Sequence, residues 1–308
     1  MTRETIFYIL LWYVYADFLS DSMRTRRGFM LKVSVLIPVY NTDEVYLKEA
    51  IASILNQTFQ DFELIIVDDG SKNDIETIVK SFHDSRIKFY KNETNKGVAY
   101  TRNRLMDLAQ SEYIAFQDSD DISLPNRLEK QDKFLDENPN FSIVGCWEEK
   151  FPKTKIYRFL PKPKILDFLI GCAVQQGASM MRINDIKKYN LKYNEEYKTS
   201  EDYDFWCRAV KDIDIYNIQE VLYKYRINPT SLVHTQNKLG NQIDIKIRQN
   251  LLEELTEDKV LQEKIMYTIS EYSRKKTSFL EKIFSVRNEL FGIKKCKIIY
   301  ILGLKLRI

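Results

Sequence analysis

The chain has 308 residues, 44% hydrophobic and 30% charged, a composition typical of a globular protein with one large domain or two smaller ones. Its formal net charge of +3, with no stripe of Lys and Arg interleaved with aromatic residues, argues against a nucleic-acid-binding protein. The four cysteines form no C-x-x-C pair, which indicates reduced thiols in the cytosol, and two histidines are too few for a histidine-rich zinc site.

Residues 1–29 differ from the rest of the chain. Their apolar stretch, residues 6–19, is interrupted by Asp17 and is shorter than the roughly 20 residues of a membrane-spanning helix. It has no basic start and no small-residue cleavage site, so it is a poor match to a signal peptide. We expect translation to begin at Met30, or at Met23, with a short helix on the membrane surface as the competing interpretation.

From residue 33 onward, the hydrophobic pattern alternates between strands and helices. Apolar runs predict buried strands, and an apolar stripe at helical spacing predicts a helix between the first two of them. The predicted strands are 33–39, 62–67, 86–90 and 113–116, and the later predicted helices are 74–82 and 97–110. This alternation predicts an α/β fold, a mostly parallel sheet with helices on both faces, whose ligands bind at the carboxyl ends of the strands.

The pattern is less regular after residue 124. It predicts a helix to about Glu137, further short strands, and a helix from 199 to 211. A basic, proline-containing excursion covers residues 150–164, and the sequence is polar and helical from about residue 239. The predicted organisation has three parts: the extension at 1–29, a domain at 30–235 with halves 30–140 and 141–235, and a helical, basic C-terminal region at 236–308.

Polar clusters follow three of the predicted strands. Tyr40-Asn41 follows the first strand, Asp68-Asp69-Gly70-Ser71 the second and Asp118-Ser119-Asp120-Asp121 the fourth. Three carboxylates at the end of a buried strand need a cation, and a divalent ion that holds a diphosphate supplies one. Each cluster alone also fits a turn that caps the next helix. Their common position at one sheet edge predicts a nucleotide pocket.

Four ordered motifs resemble those of glycosyltransferase family 2. The similarity runs from about residue 32 to 139 and continues in patches to about 231. The resemblance implies the GT-A fold, in which a mostly parallel, Rossmann-like sheet is flanked by helices. It also implies a nucleotide-sugar donor and transfer with inversion at the anomeric carbon. The motifs are Val33-Ser34-Val35-Leu36-Ile37-Pro38-Val39-Tyr40-Asn41, Val67-Asp68-Asp69-Gly70-Ser71, Asn95-Lys96-Gly97 with Thr101-Arg102-Asn103, and Asp118-Ser119-Asp120-Asp121.

The first three motifs would hold the nucleotide. The resemblance implies that Asp69 accepts a hydrogen bond from the base, that Tyr40 stacks on the base and that Pro38 shapes the strand end beside it. UDP is the nucleotide expected from the family. Arg102 has two open interpretations, a contact with the phosphates or a simple ion pair with an acidic residue on the surface.

The fourth motif, a D-x-D sequence, would hold the metal ion. The resemblance implies that Asp120 binds Mn2+ or Mg2+, that Asp118 contacts the ribose or the ion, and that Asp121 supports them. Such an ion neutralises the charge that develops on the departing diphosphate. The chain departs from the family at a further ligand position, since many relatives carry His two residues after the counterpart of Arg226 and this chain has Asn228.

Inversion requires a base that removes the proton of the acceptor hydroxyl. The pair Glu201-Asp202 resembles the family's E-D motif, which implies that Asp202 is the base and Glu201 its helper. The alternative is structural, because Thr199-x-x-Asp202 is also a capping box at a helix start. Trp206 either packs beneath the acceptor sugar or is buried in the core.

Together these motifs predict an inverting, metal-dependent hexosyltransferase that moves one sugar to a hydroxyl of a glycan or lipid-linked acceptor in bacterial surface polysaccharide synthesis. The Q-x-x-R-W motif of processive synthases is absent, which favours transfer of a single sugar. Residues 30–140 would bind the nucleotide and residues 141–235 the acceptor. The alternative is a catalytically inactive glycan-binding or scaffold protein with the same fold.

The end of the chain is strongly basic. Residues 274–308 contain ten Lys and Arg and two Glu. Such a run is either a solvated face or a contact with anionic lipid, to which each Lys or Arg contributes about 1 kcal/mol. The favoured interpretation is a cytoplasmic protein held peripherally on the inner face of the cell membrane.

Overall fold

The computed structural model of the chain describes residues 31–228, 237–275, 284–291, 294–301 and 304–307. The predictions for residues 1–29 and for the side chains of the basic C-terminal run lie outside what is described. In the described ranges no helix is both long enough and apolar enough to span a bilayer.

The first half consists of four parallel strands and their crossover helices. β1 lies between β2 and β4, and β3 lies outside β2. The predicted elements between residues 33 and 116 are confirmed, with small shifts at their ends. Nearly every side chain of β1 and β2 is buried, as the continuous apolar runs of these strands require. The elements are β1 (Val33–Val39), α1 (Glu44–Leu55), β2 (Phe62–Asp68), α2 (Ile75–Lys80), β3 (Ile87–Lys91), α3 (Val98–Leu108) and β4 (Tyr113–Phe116).

The second half completes the main sheet with antiparallel strands among the parallel ones. Within the described ranges the sheet has nine strands in the order β3-β2-β1-β4-β8-β6-β9-β5, with β7 beside β6. The excursion predicted at 150–164 contains the short strand β7, which forms a hairpin with β6. The elements are β5 (Ile122–Ser123), α4 (Arg127–Glu137), β6 (Ile143–Phe151), β7 (Lys155–Tyr157), α5 (Ile165–Ile170), β8 (Met180–Arg182), α6 (Ile183–Lys188), α7 (Glu201–Ala209) and β9 (Ile215–Arg226).

Two apolar cores lie on the two faces of the main sheet. Successive side chains of a strand point to opposite faces, so β1 contributes Leu36 to one core and Val35 and Ile37 to the other. The core that contains Leu36 also includes Phe205 and Trp206 of α7. Because Trp206 is completely buried in this core, the structure supports the core interpretation of Trp206.

The C-terminal region begins with the predicted helices and ends in strands. α8 (Asn237–Leu255) packs Ile247, Leu251 and Leu252 into the core that contains Leu36, and α9 (Lys259–Lys275) follows it. The structure departs from the helical prediction in the last described ranges, which form an antiparallel sheet. Its sequence Ile298-Ile299-Tyr300-Ile301 combines β-branched and aromatic residues, which favour strands. These strands are β10 (Phe284–Phe291), β11 (Lys294–Ile301) and β12 (Leu304–Arg307).

Candidate active site

The predicted polar clusters meet at the carboxyl edge of the parallel strands. The loop after β1 is tied to the loop after β2, because the backbone N–H of Asn41 donates to Ser71 Oγ at 2.8 Å. It is also tied to the loop after β4 through the hydroxyls of Thr42 and Ser119, which lie 2.7 Å apart. The three clusters therefore form a single site.

The first loop presents the residues expected at the base. The Tyr40 side chain is 49% exposed beyond the end of β1, so its ring is accessible for stacking. Pro38 is half-buried and lies opposite Val67 in the parallel register. Gly70 follows in the second loop with φ +73°, and a Cβ there would come within 2.8 Å of the Asn95 backbone nitrogen. Only glycine allows this close approach of the two loops.

Asp69 has a structural role that the sequence did not indicate. Its buried carboxylate accepts hydrogen bonds from the backbone N–H groups of Lys96 and Gly97, both at 2.9 Å, and from Asn92 Nδ2 at 2.6 Å. These bonds fix the loop that leads into α3. The contact of Asp69 with the base stays a prediction.

We expect Asp69→Asn to lower the free energy of unfolding by about 2 kcal/mol. The substitution removes the charge of the acceptor and replaces one of the two carboxylate oxygens by an amide nitrogen, which cannot accept these hydrogen bonds. Urea unfolding measures the change. The matched control is Asp61→Asn, an exposed position before β2 that we expect to be neutral. Equal stabilities of the two variants would contradict the anchoring role.

Arg102 joins the two halves of the site. Its guanidinium is almost fully buried and forms an ion pair with Glu201 of α7, and its second nitrogen lies 3.5 Å from Asp118 Oδ1 after β4. The guanidinium carbon also lies 5.5 Å from the centre of the Tyr193 ring. Arg102 therefore forms ion pairs, but its partners lie inside the site and are not the surface acid of the second interpretation. The contact with phosphates stays a prediction.

Burial controls the charges of this network. It raises the pKa of Asp118 to about 6 and that of Glu201 to about 7, although Arg102 acts in the opposite direction on both. Burial would lower the pKa of Arg102, but the carboxylates of Glu201 and Asp118 outweigh it and leave that pKa raised. Arg102 therefore favours the ionised forms of the buried Glu201 and of Asp118, whose side chain is 25% exposed, but it does not fully offset the effect of burial.

Asp120 and Asp121 lie beside the end of β9. Asp121 Oδ1 accepts from the backbone N–H of Arg226 at 2.6 Å, and Asp120 Oδ2 lies 3.3 Å from the amide nitrogen of Asn228. Burial raises the pKa of both carboxyl groups. The buried Asp121 Oδ2 has no hydrogen-bond partner. Carboxylates held in this way are stabilised by a nearby cation.

The oxygen donors of this loop fit a hard divalent ion. Mg2+ is usually held by one or two carboxylates together with substrate phosphates rather than by a complete protein cage. The described residues contain no group of three or more His, Cys, Asp and Glu side chains able to hold a metal ion. Metal binding by Asp120, Asp118 and Asp121 stays a prediction.

Asp202 lies in the first turn of α7. Its Oδ1 accepts from the backbone N–H of Tyr203 at 2.8 Å, and the side chain is partly exposed. The helix is preceded by Ser200, which has φ 60° and makes no side-chain capping bond. The capping-box alternative for Thr199 and Asp202 is therefore not supported, and the role of Asp202 as the base stays a prediction.

Three residues that support the site were missed in the sequence. A Cβ on Gly177 would lie 2.5 Å from Asp118 Oδ2 and 2.3 Å from the Tyr223 hydroxyl, so glycine leaves the space that both occupy. The Asp118 N–H donates to that hydroxyl at 3.2 Å. Arg127 is completely buried and donates to the carbonyls of Gly177 and Phe116. The three residues, Gly177, Tyr223 and Arg127, belong to no recognisable motif.

A Rossmann-like sheet with antiparallel additions and an acidic site at its carboxyl edge is the arrangement expected of the GT-A fold. The sequence pattern of the family described as Glycosyl transferase family 2 matches residues 34–210. The chain belongs to this family and is a glycosyltransferase.

Relatives support this assignment. The chain is 41% identical over 208 residues to the uncharacterized glycosyltransferase MJ1057 of Methanocaldococcus jannaschii, covering 63% of this chain and 70% of the relative. It is 30% identical over 218 residues to the UDP-Glc:alpha-D-GlcNAc-diphosphoundecaprenol beta-1,3-glucosyltransferase WfgD of Escherichia coli, covering 69% of this chain and 84% of the relative.

Solved structures confirm the fold. Residues 1–349 of S. aureus TarS in complex with UDP-GlcNAc match with a TM-score of 0.65 and 20% identity, over 82% of this chain and 75% of the 1–349 chain. The mannosyltransferase PcManGT from Pyrobaculum calidifontis, in complex with GDP-Man and Mn2+, matches with a TM-score of 0.57 and 13% identity, over 80% and 70% of the two chains. The predicted GT-A fold is confirmed.

Proposed function

We propose that this glycosyltransferase moves one sugar from a UDP-sugar to a hydroxyl of a lipid-linked glycan, with inversion and with the help of a divalent ion. The main support is the buried contact of Arg102 with Glu201 and Asp118, which brings the D-x-D loop and the start of α7 into one site. The name of WfgD, a UDP-Glc-dependent enzyme with a diphosphoundecaprenol acceptor, supports the substrate classes. A role in bacterial surface polysaccharide synthesis is consistent with them.

The donor would lie across the carboxyl edge of β1, β2 and β4. Tyr40 stacks on the base, Pro38 and Asp69 border it, and Asp118 contacts the ribose. Asp120 and Asn228, supported by Asp121, would hold Mn2+ or Mg2+, which neutralises charge on the departing diphosphate when bound. The Mn2+ in the PcManGT complex supports this use of the fold.

The acceptor would approach from the side of α7. The Asp202 carboxylate accepts the proton of the acceptor hydroxyl, while that oxygen forms a bond to the anomeric carbon from the face opposite the diphosphate. The bond between the anomeric carbon and the diphosphate breaks, and the nucleoside diphosphate leaves with the electron pair. Glu201 does not exchange protons in this scheme; its ion pair with Arg102 fixes the start of the helix that bears Asp202.

The alternative is a glycan-binding protein of the same fold without turnover. Its basis is Asn228, which replaces the histidine of many relatives. The structure places the Asn228 amide against Asp120, so a polar ligand remains at this position. We therefore retain the catalytic proposal.

Nucleotide binding distinguishes these two proposals. We expect UDP, in the presence of Mn2+, to stabilise the protein by about 2.7 kcal/mol at a hundredfold excess over its Kd, because it binds only the folded state. We expect smaller shifts with GDP, dTDP or CMP, and with UDP in the presence of EDTA. Thermal unfolding of the full chain measures the shifts.

The variant for this experiment is Asp120→Ala, which should lose the Mn2+-dependent part of the shift. Its control is Asp107→Ala, an exposed carboxylate on α3 that should respond like the wild type. The absence of a shift with every nucleotide would favour the inactive alternative.

A further inference from the structure

The hairpin of residues 150–160 has no role in the proposed reaction. It joins β6 to β7, whose residues Lys155–Tyr157 pair antiparallel with Glu148–Lys150. The segment contains three Lys and one Arg and no acidic residue. We call it the basic hairpin.

Most of its charge faces solvent without a partner. Lys150 lies 3.6 Å from Glu148, but no carboxylate of the described residues forms an ion pair with Lys153, Lys155 or Arg158, all of which are exposed. Lys155 lies 4.8 Å from the ring centre of Tyr157 and Arg158 lies 5.4 Å from that of Trp147, so these cations are positioned by aromatic rings. Such charges are free to contact an external anion.

Apolar side chains are exposed on the same hairpin. Ile156 is 41% exposed and Leu160 is 56% exposed. Because successive strand side chains point to opposite faces, Ile156 shares a face with Arg158, whereas Lys155 lies on the other face with Lys150 and Tyr157. A soluble polyanion would use the basic residues only, whereas the boundary of an anionic bilayer offers phosphates to the cations and an apolar layer to the aliphatic side chains. This combination favours a lipid surface as the partner.

The basic hairpin begins next to the acidic site. Phe151, at the end of β6, pairs with Arg226 of β9, and the Arg226 N–H donates to Asp121. The turn of the hairpin, residues 152–154, follows Phe151 directly. A surface that contacts the hairpin therefore lies close to the site.

We propose that the basic hairpin is a docking surface for an anionic lipid bilayer. Lys153 at the turn and Arg158 contact the phosphate groups, and Ile156 and Leu160 enter the boundary between headgroups and acyl chains. This contact orients the acidic edge of the sheet toward the membrane. It differs from the contact expected of the C-terminal basic run and does not depend on sugar transfer.

Co-sedimentation of the full chain with lipid vesicles tests the proposal. We expect binding to vesicles that contain phosphatidylglycerol, weaker binding to pure phosphatidylcholine, and a decrease with added salt. Replacing Lys153 and Arg158 by Ala should lower the partition coefficient about 25-fold, about fivefold for each cation. The pair Ile156→Ser and Leu160→Ser tests the apolar contact independently and should also weaken binding.

The charge-matched control replaces Lys187 and Lys188 by Ala. These exposed lysines belong to α6. This helix follows β8, whose last residue, Arg182, pairs with Tyr113 at the start of β4. The two lysines therefore lie at the edge of the sheet opposite the acidic site. Unchanged binding of this control, with lowered binding of both hairpin variants, supports the proposal. Wild-type binding by either hairpin variant with an unchanged unfolding midpoint, or no binding of the wild type to anionic vesicles, would overturn it.

Discussion

Asp202→Asn is expected to lower kcat for sugar transfer by roughly 10³- to 10⁴-fold, because the amide cannot accept the proton of the attacking hydroxyl. Binding of UDP with Mn2+ should stay at the wild-type level, since Asp202 lies on α7 and the predicted nucleotide residues lie after β1, β2 and β4. The measurement is the release of UDP from UDP-glucose in the presence of a GlcNAc-diphospholipid acceptor, together with the thermal shift that UDP produces.

Asp204→Asn is the matched control for this variant. Asp204 lies on the same helix, where its carboxylate pairs with Arg208 at 2.7 Å. Removing a partly exposed pair of this kind costs up to about 1 kcal/mol of stability and should leave the rate of transfer nearly unchanged. A wild-type rate in Asp202→Asn would show that another group removes the proton.

Arg102→Met should lower the free energy of unfolding by about 3–5 kcal/mol, the usual result of removing one partner of a buried ion pair. The loss arises because Glu201 and Asp118 would keep their burial without their cation. Each carboxyl would then be protonated more readily, since burial already raises its pKa. Urea unfolding at neutral pH measures the change.

A double-mutant cycle separates the ion pair from simple loss of packing. Adding Glu201→Gln to Arg102→Met removes the buried charge left behind, so the double variant should be more stable than the sum of the single effects predicts. The control Arg208→Met removes an arginine from the surface pair with Asp204 and should cost about 1 kcal/mol or less. Strict additivity in the cycle would contradict the role of Arg102 as the neutralising cation.

The strands and helices between residues 33 and 116 were predictable because their signals are local. A buried parallel strand requires a continuous apolar run, and a helix packed on it requires an apolar stripe at helical spacing. The clusters after β1, β2 and β4 follow from the same logic, because parallel strands end at the same edge. The end of the chain was predicted less well, since helical and strand preferences compete there and pairing decides between them.

The roles of individual side chains were less predictable than their positions. The carboxylate of Asp69 is held by residues 23 to 28 positions away in the chain, and Arg102 pairs with a residue 99 positions away. The residues next to an arginine in the sequence do not show whether its side chain is buried or exposed. The space that Asp118 occupies likewise depends on Gly177, and several strands and helices lie between these two residues in the chain.

The sequence alone determined the family motifs, the order of strands and helices in the first half, and the edge at which the polar loops gather. Only the tertiary structure decided that Arg102 neutralises Glu201 and Asp118, that Asp69 anchors the loop before α3, and that the basic hairpin lies beside the acidic edge. The physical reason is that motifs and hydrophobic periods are properties of neighbouring residues. Burial, and with it the energy of each charge, depends on which distant groups the folded chain brings together.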